Sequence, residues 1–198
     1  LYKLSQKDGN VLSRIASRLS NIIPTSDVRV DVDAVRQLLT LEVRERSGAF
    51  LPARALSDGT LRFLSLCIMA EDPEFKGLLC FEEPENGIHP AKMESMLGLL
   101  KEIAVDPNEP TGDQNPMRQI IIATHSPVLV NLEDKDDLIY SDSVKIKGPT
   151  GKPTSTIRCK ALPDSWRTES AGCGVIDKGS IVSYLSLPLN SQISLGLD

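Results

Sequence analysis

The 198-residue sequence has no Cys-x-x-Cys pair, no apolar run near membrane-span length and no surplus of positive charge. Its four cysteines, Cys67, Cys80, Cys159 and Cys173, lack zinc-ligand spacing. They are read as reduced thiols, with Cys67 and Cys80 as small core residues inside apolar runs. A helix needs about 20 apolar residues to cross a bilayer. Neither such a run nor a signal peptide is visible, so a cytoplasmic chain with no membrane partner is expected. Lys and Arg total 22 against 27 Asp and Glu, a formal net charge of −5. Bulk charge therefore excludes a general nucleic-acid binder, and any such contact needs a local basic patch. Although aromatics are only 4%, the 40% hydrophobic and 25% charged content excludes global disorder and a fibrous repeat. The length suits one domain with a core or one lobe of something larger, and the opening Leu rather than Met fits the lobe.

What is present alternates between helix and strand patterns. NVLSRIASRLSNII (10–23) spaces Val11, Leu12, Ile15, Leu19, Ile22 and Ile23 along one helix face, stopped by Pro24. Val28–Val32 and Leu38–Arg46 alternate as two strands of an antiparallel ribbon joined near Asp33–Gln37. ALSDGTLRFLSLCIMA (55–70) reads as a helix capped by Ser57 or Asp58. Leu78–Phe81 reads as a short interior strand, Ala91–Val105 as a helix and Gln119–Ala123 as a second buried strand. Between the last two, Asp106–Pro116 is polar, rich in Pro and Asn, and expected to be mobile. Beyond Asp137 the pattern weakens to a strand near Leu138–Tyr140, a hairpin over Val144–Leu162 around Gly148–Pro153, and a short helix at Ile181–Leu187. The order indicates an α/β core.

The chemistry concentrates in GLLCFEEPENGIHP (77–90). Two adjacent carboxylates at a strand exit repel each other unless a cation holds them, and a metal ion bound to phosphate is the usual one. In open α/β sheets ligands sit beyond the carboxyl ends of strands. Glu82 and Glu83 share that place with His125, at the end of QIIIATHSP, if the two strands are neighbours. One carboxylate to hold Mg²⁺, one to position or deprotonate water, and a polar group near the γ-phosphate make a phosphate-hydrolysing set. Taken singly, each piece has another reading. Ser57-Asp58-Gly59-Thr60 serves as a helix cap, His125 as a structural histidine, and His89 as either a dimer contact or a helix-start residue next to Pro90. Trp166 and Arg167 read as a local packing pair, and the lysines of 145–160 as a solvated hairpin.

Four segments in order resemble the second half of an ABC-type ATPase head of the RecF/SMC/OLD-like soluble group, rather than a transporter. ALSDGTLRFL resembles the signature, LLCFEEP the Walker B strand with its following glutamate, ENGIHP the D-loop and IIIATHSP the switch-histidine segment. The resemblance is firm over residues 51–130. It implies a P-loop NTPase fold with a mostly parallel core sheet. Residues 1–198 would form a single lobe: helix plus ribbon at 1–50, core motifs at 51–140 and a C-terminal extension at 141–198. It further implies Glu82 at the Mg²⁺ water, Glu83 as catalytic base and His125 as γ-phosphate sensor. Ser57, Asp58 and Gly59 would contact ATP held by a second subunit, with Asn86, Gly87 and His89 at the dimer contact.

Departures from the usual pattern are informative. Glu82 stands where Asp is usual, its longer arm reaching magnesium through water. Asp58 replaces the first signature glycine and adds negative charge near a γ-phosphate, and His89 replaces a D-loop Asp. The EEPEN-x-x-HP form points to the OLD-like branch. No Gly-x-x-x-x-Gly-Lys-Ser/Thr occurs, and Gly151-Lys152-Pro153 lacks the hydroxyl and the upstream glycine. The Walker A half, which precedes the signature in this group, is thus expected outside these residues. The resulting expectation is an ATP-sandwiched homodimer that binds and hydrolyses ATP with Mg²⁺, in DNA repair or defence against foreign DNA, with DNA or a nuclease effector as further partner. The alternative is an ATP-gated regulatory or scaffolding module with little or no hydrolysis.

Overall fold

A computed structural model describes residues 1–147, 152–169 and 174–187. The chain divides into two compact units, residues 1–124 and 125–198.

In the first unit, helices α1 (Tyr2–Lys7) and α2 (Val11–Leu19) lead into strands β1 (Thr25–Asp33), β2 (Leu38–Glu45) and β3 (Phe50–Pro52). These pair antiparallel in that order, with Val28 opposite Val43 and both fully buried. The ribbon is where the alternation placed it; β3 was not foreseen, being only three residues long. α2 stops at Leu19, and a turn carries the chain to Pro24, with Ile22 N–H donating to Leu19 O at 3.0 Å. A 3₁₀ turn (Ala53–Ala55) precedes α3 (Asp58–Glu71), a second (Pro90–Lys92) precedes α4 (Met93–Ile103), and strands β4 (Gly77–Glu82) and β5 (Arg118–Ala123) pair in parallel. Ile15 and Leu19 of α2, Phe63, Leu66 and Cys67 of α3, and Met96, Leu100 and Ile103 of α4 form the core. Burial drives the Cys67 thiol pKa up to about 12, an inert core thiol as expected.

Charge ties the same three helices at their edge. Glu71, with 6% of its side chain exposed, receives Arg14 at 2.6 Å and Arg18 at 2.9 Å, and Arg18 also reaches Glu102 at 2.5 Å. Arg118, 6% exposed, spends its guanidinium on backbone. Nε donates to Phe75 O at 2.8 Å and Nη2 to Asp72 O at 2.7 Å, which fixes the link between α3 and β4. The loop expected to be mobile is closed on itself by Asn115, whose amide bonds the backbone of Asp106 and Glu109.

Two expectations are corrected. The strands β4 and β5 are not interior: Leu78 is 57% and Ile121 58% exposed, while Leu79 and Phe81 are half-buried. Successive side chains of a strand point to opposite faces, and along β4 and β5 those of one face are partly covered while those of the other are exposed. For the same reason Cys80 is exposed rather than a core residue. The core pair β4–β5 is parallel, as expected, while the ribbon and the hairpin pair antiparallel and the short β7–β8 pair is parallel.

The second unit contains α5 (Pro127–Leu132), β6 (Ile139–Lys147), β7 (Pro153–Ala161), β8 (Gly174–Val175) and α6 (Lys178–Leu185). β6 and β7 pair antiparallel as the expected hairpin, and residues 148–151, where its turn was expected, and Cys173 lie outside the described residues. Val130, Leu162, Ile176 and Ile181 make its core, with Tyr140 edge-on to Tyr184 at 6.3 Å. Arg167 stacks over Trp166 at 4.4 Å, the anticipated pair.

The helix network carries a pH signature. The hydrogen bond from Arg18 holds the Glu102 carboxyl below its ordinary value of 4.5. A carboxyl pKa depressed by folding stabilises above the unfolded pKa and loses that contribution as pH falls through the folded one. With Glu102 half-exposed, Glu102→Gln is expected to cost up to about 1 kcal/mol at neutral pH. The difference from wild type should close as pH drops below the ordinary carboxyl range, measured by urea unfolding across pH.

Candidate active site

The site begins with a helix start. Leu56 and Ser57 are extended, and Ser57 is the N-cap of α3: its hydroxyl accepts from Thr60 N–H at 3.2 Å and lies 2.9 Å from Thr60 Oγ1. Of the two residues offered as cap, Ser57 takes the role, and Asp58 becomes the first helical residue, where a carboxylate suits the helix dipole. Ser57 and Asp58 are exposed, while Gly59 and Thr60 are buried.

The second element is the exit of β4. Glu82 is the last residue of the strand, exposed, and paired with Ala123 of β5, so the two strands end together. The expectation that they are neighbours is met. One step further the backbone turns: Glu83 N–H donates to Ala123 O at 2.7 Å, and Glu83 takes a left-handed φ of 45°. The chain then folds into a tight loop. Asn86 N–H donates to Glu83 O at 3.1 Å and Ile88 N–H to Glu85 O at 2.9 Å, with Pro84 and Ile88 buried as its anchors. The Glu83 carboxylate is already engaged, its Oε2 accepting from Asn86 Nδ2 at 2.5 Å.

The two elements touch through glycine backbone. A Cβ on Gly59 would lie 2.2 Å from Gly87 O, and Gly87 has φ +80°. Close approach dictates glycine at the first position and a left-handed turn favours it at the second. The first unit therefore brings Ser57, Gly59, Glu82, Glu83, Asn86 and Gly87 into one pair of adjoining loops. His89 caps the 3₁₀ turn that follows, its Nδ1 accepting from Ala91 N–H at 3.2 Å. His125, directly after Thr124, is exposed and opens the second unit.

Three residues that the sequence did not single out belong to these loops. Arg62, one turn into α3, donates from Nη1 to Glu83 O at 3.0 Å. Thr124 Oγ1 donates to Glu85 Oε1, joining the exits of β4 and β5. Glu85 Oε2 is buried, with no hydrogen-bond partner among the described residues. The only signal for Arg62 was its spacing from Ser57; for Glu85 and Thr124, it was their place beside residues already marked.

The donor set limits the metal it suits. No group of three or more His, Cys, Asp or Glu able to hold an ion occurs among the described residues. Magnesium in nucleotide sites is held by one or two carboxylates plus phosphate oxygens and water. A lone exposed Glu82 beside Glu83 fits that role and does not fit an all-protein cage.

Gly59→Ala is expected to destabilise the first unit by about 1–3 kcal/mol, since the clash is with backbone. Gly98→Ala, inside α4 where an added Cβ would meet no described atom beyond its own helix within 4 Å, should stabilise by about 0.5–1 kcal/mol. Urea unfolding of both variants separates the packing constraint from glycine flexibility.

A family model described as "AAA domain, putative AbiEii toxin, Type IV TA system" matches residues 5–131, more than half of the 198. No curated protein matches the chain. Among solved structures it is similar to an SMC ATPase studied for "ATP-driven dimerization and DNA stimulated activation", at 14% identity and TM-score 0.47, over 79% of this chain and 88% of that one. It is also similar to the Smc head domain with coiled coil and joint from Pyrococcus yayanosii, at 13% identity and TM-score 0.48, over 79% and 27%. A Smc head bound to the C-winged helix domain of ScpA matches at 14% and 0.48, over 83% and 46%. The chain thus spans less than half of the latter two.

Proposed function

The chain belongs to this AAA-domain family, and on that premise we propose that it is the C-terminal lobe of an ABC-type ATPase head that binds and hydrolyses ATP between two copies of itself. The observation that carries the proposal is the joining, in one unit, of an exposed helix start with paired carboxylates at the shared end of two parallel strands. Bound magnesium would neutralise phosphate charge and fix the nucleotide. Glu82 would be the residue that holds it. Glu83 orients and deprotonates the attacking water. His125, two residues past the end of β5, senses the γ-phosphate. The start of α3 contacts the γ-phosphate of the nucleotide bound by the partner copy, as helix starts do for anions, with Ser57 exposed at its head and the buried Gly59 backbone behind it. Asn86, Gly87 and His89 line the contact between copies. The β- and γ-phosphates are cradled by a Walker A loop that these 198 residues do not contain, so the chain acts as a lobe and is inactive alone.

The setting is a cytoplasmic defence or DNA-repair system with DNA or a nuclease as further partner. The family's type IV toxin–antitoxin description supports defence. No helix among the described residues is long and apolar enough to cross a membrane. A second reading, an ATP-gated module with little turnover, is favoured by one feature: the exposed carboxylate of Asp58 at the head of α3, where a γ-phosphate would dock.

Steady-state ATP hydrolysis by this chain alone, and by the chain joined to its phosphate-loop segment, tests the proposal. Activity is expected only in the joined form, and Glu83→Gln should lower it by about 10²–10⁴-fold. Hydrolysis by the chain alone that Glu83→Gln leaves unchanged would show the site to be wrong. ATP binding with negligible turnover in the joined wild type would favour the gated module.

A further inference from the structure

Glu83 is held in a conformation that it would not choose alone. It is one of three non-glycine residues with a left-handed φ among the described residues, the others being Gln37 and Asp164 in turns. Such backbone costs about 1–3 kcal/mol and persists only where its surroundings over-determine it. The restraints at Glu83 can be named. Its N–H is spent on Ala123 O at 2.7 Å, and its carbonyl accepts from Asn86 N–H at 3.1 Å and from Arg62 Nη1 at 3.0 Å. Two of these three come from the loop itself and the neighbouring strand. The third comes from α3.

We propose that Arg62 is a positioning residue: by holding the Glu83 carbonyl it keeps Glu83 left-handed and so aims its carboxylate. The inference rests on Glu83 being the base, and goes beyond it by assigning a residue that never touches substrate. Rotation of the Glu83 backbone swings its Cα–Cβ bond. The Asn86 amide on Oε2 cannot restore the direction, because Asn86 rides on the same loop. Arg62 stands on a different element, one turn after the Ser57–Gly59 helix start, in a helix whose backbone at Gly59 already abuts Gly87. Shifts of α3 are thereby transmitted to the carboxylate. Arginine suits the task because its planar fork points a fixed N–H at the carbonyl, whereas lysine offers a mobile point donor.

The test uses the ATP-hydrolysing protein that carries this chain with its phosphate loop, in wild-type, Arg62→Gln, Arg62→Lys and Glu83→Gln forms. Arg62→Gln is expected to lower kcat by about 10- to 100-fold, the usual result of misplacing a reacting group by an ångström or so. KM for ATP should stay within about twofold, since ground-state binding is not involved. Arg62→Lys should recover part of the loss. Hydrogen exchange over residues 83–88 should accelerate in both Arg62 variants, most in Arg62→Gln. If Arg62 only stabilises the fold, the variants will lose thermal stability while kcat per folded molecule stays at wild type, and the proposal is overturned. Unchanged kcat with unchanged exchange overturns it equally. If Glu83→Gln itself keeps full turnover, the base assignment has failed and this proposal with it, a result distinct from failure at Arg62 alone. Should Arg62→Gln not fold, Arg62→Lys carries the same comparison with a smaller expected fall.

Discussion

The contact between Gly59 and Gly87 is the constraint on which the rest of the site depends. It sets the head of α3 against the loop that follows β4 with no side chain between them. Everything placed by α3, including the Ser57 cap and the Arg62 guanidinium, is then located relative to everything placed by β4, including Glu82, Glu83 and Asn86. A packed backbone contact has little freedom to slide, because interiors are as dense as organic crystals. The Arg62 hydrogen bond adds direction to that contact, and the buried anchors Pro84 and Ile88 keep the loop from lifting.

Behind the contact stands the three-helix framework. α3 is gripped on one side by the apolar faces of α2 and α4 and at its end by the Glu71 carboxylate between Arg14 and Arg18. Arg118 then pins the chain between α3 and β4 by two backbone carbonyls. The helix that Ser57 caps and the strand that ends in Glu82 are thus tied at both ends of their connection. The site is built on regular elements, and its precision comes from their packing rather than from loop stiffness.

Much of this was legible in residue order. The apolar period of α2, the alternation of β1 and β2, the cap at Ser57 and the strand–carboxylate junction at Glu82 follow from local rules, and local rules act within a few residues. What failed was non-local. Four apolar residues in a row at Leu78–Phe81 state a capacity for burial on both faces, but whether the second face is covered depends on what packs there; Leu78 and Ile121 remain exposed. Burial of Arg118 depended on two carbonyls more than 40 residues away in sequence. The roles of Arg62, Glu85 and Thr124 depend on pairings across 21 and 39 residues, which no spacing rule announces. Motif order identified the loops; only coordinates showed which side chains hold them.

The central claim is that each ATP site is shared, with Glu83 from one copy and Ser57 from the other. Mixing two inactive forms of the hydrolysing protein, one carrying Ser57→Arg and the other Glu83→Gln, tests this directly. In a mixed dimer, one site combines the intact Glu83 of the first with the intact Ser57 of the second. Random pairing should then restore about a quarter of wild-type turnover, one working site in half of the dimers. Failure of the mixture to hydrolyse ATP, with mixed dimers shown to form, would contradict a shared site and place both residues on the same nucleotide within one copy.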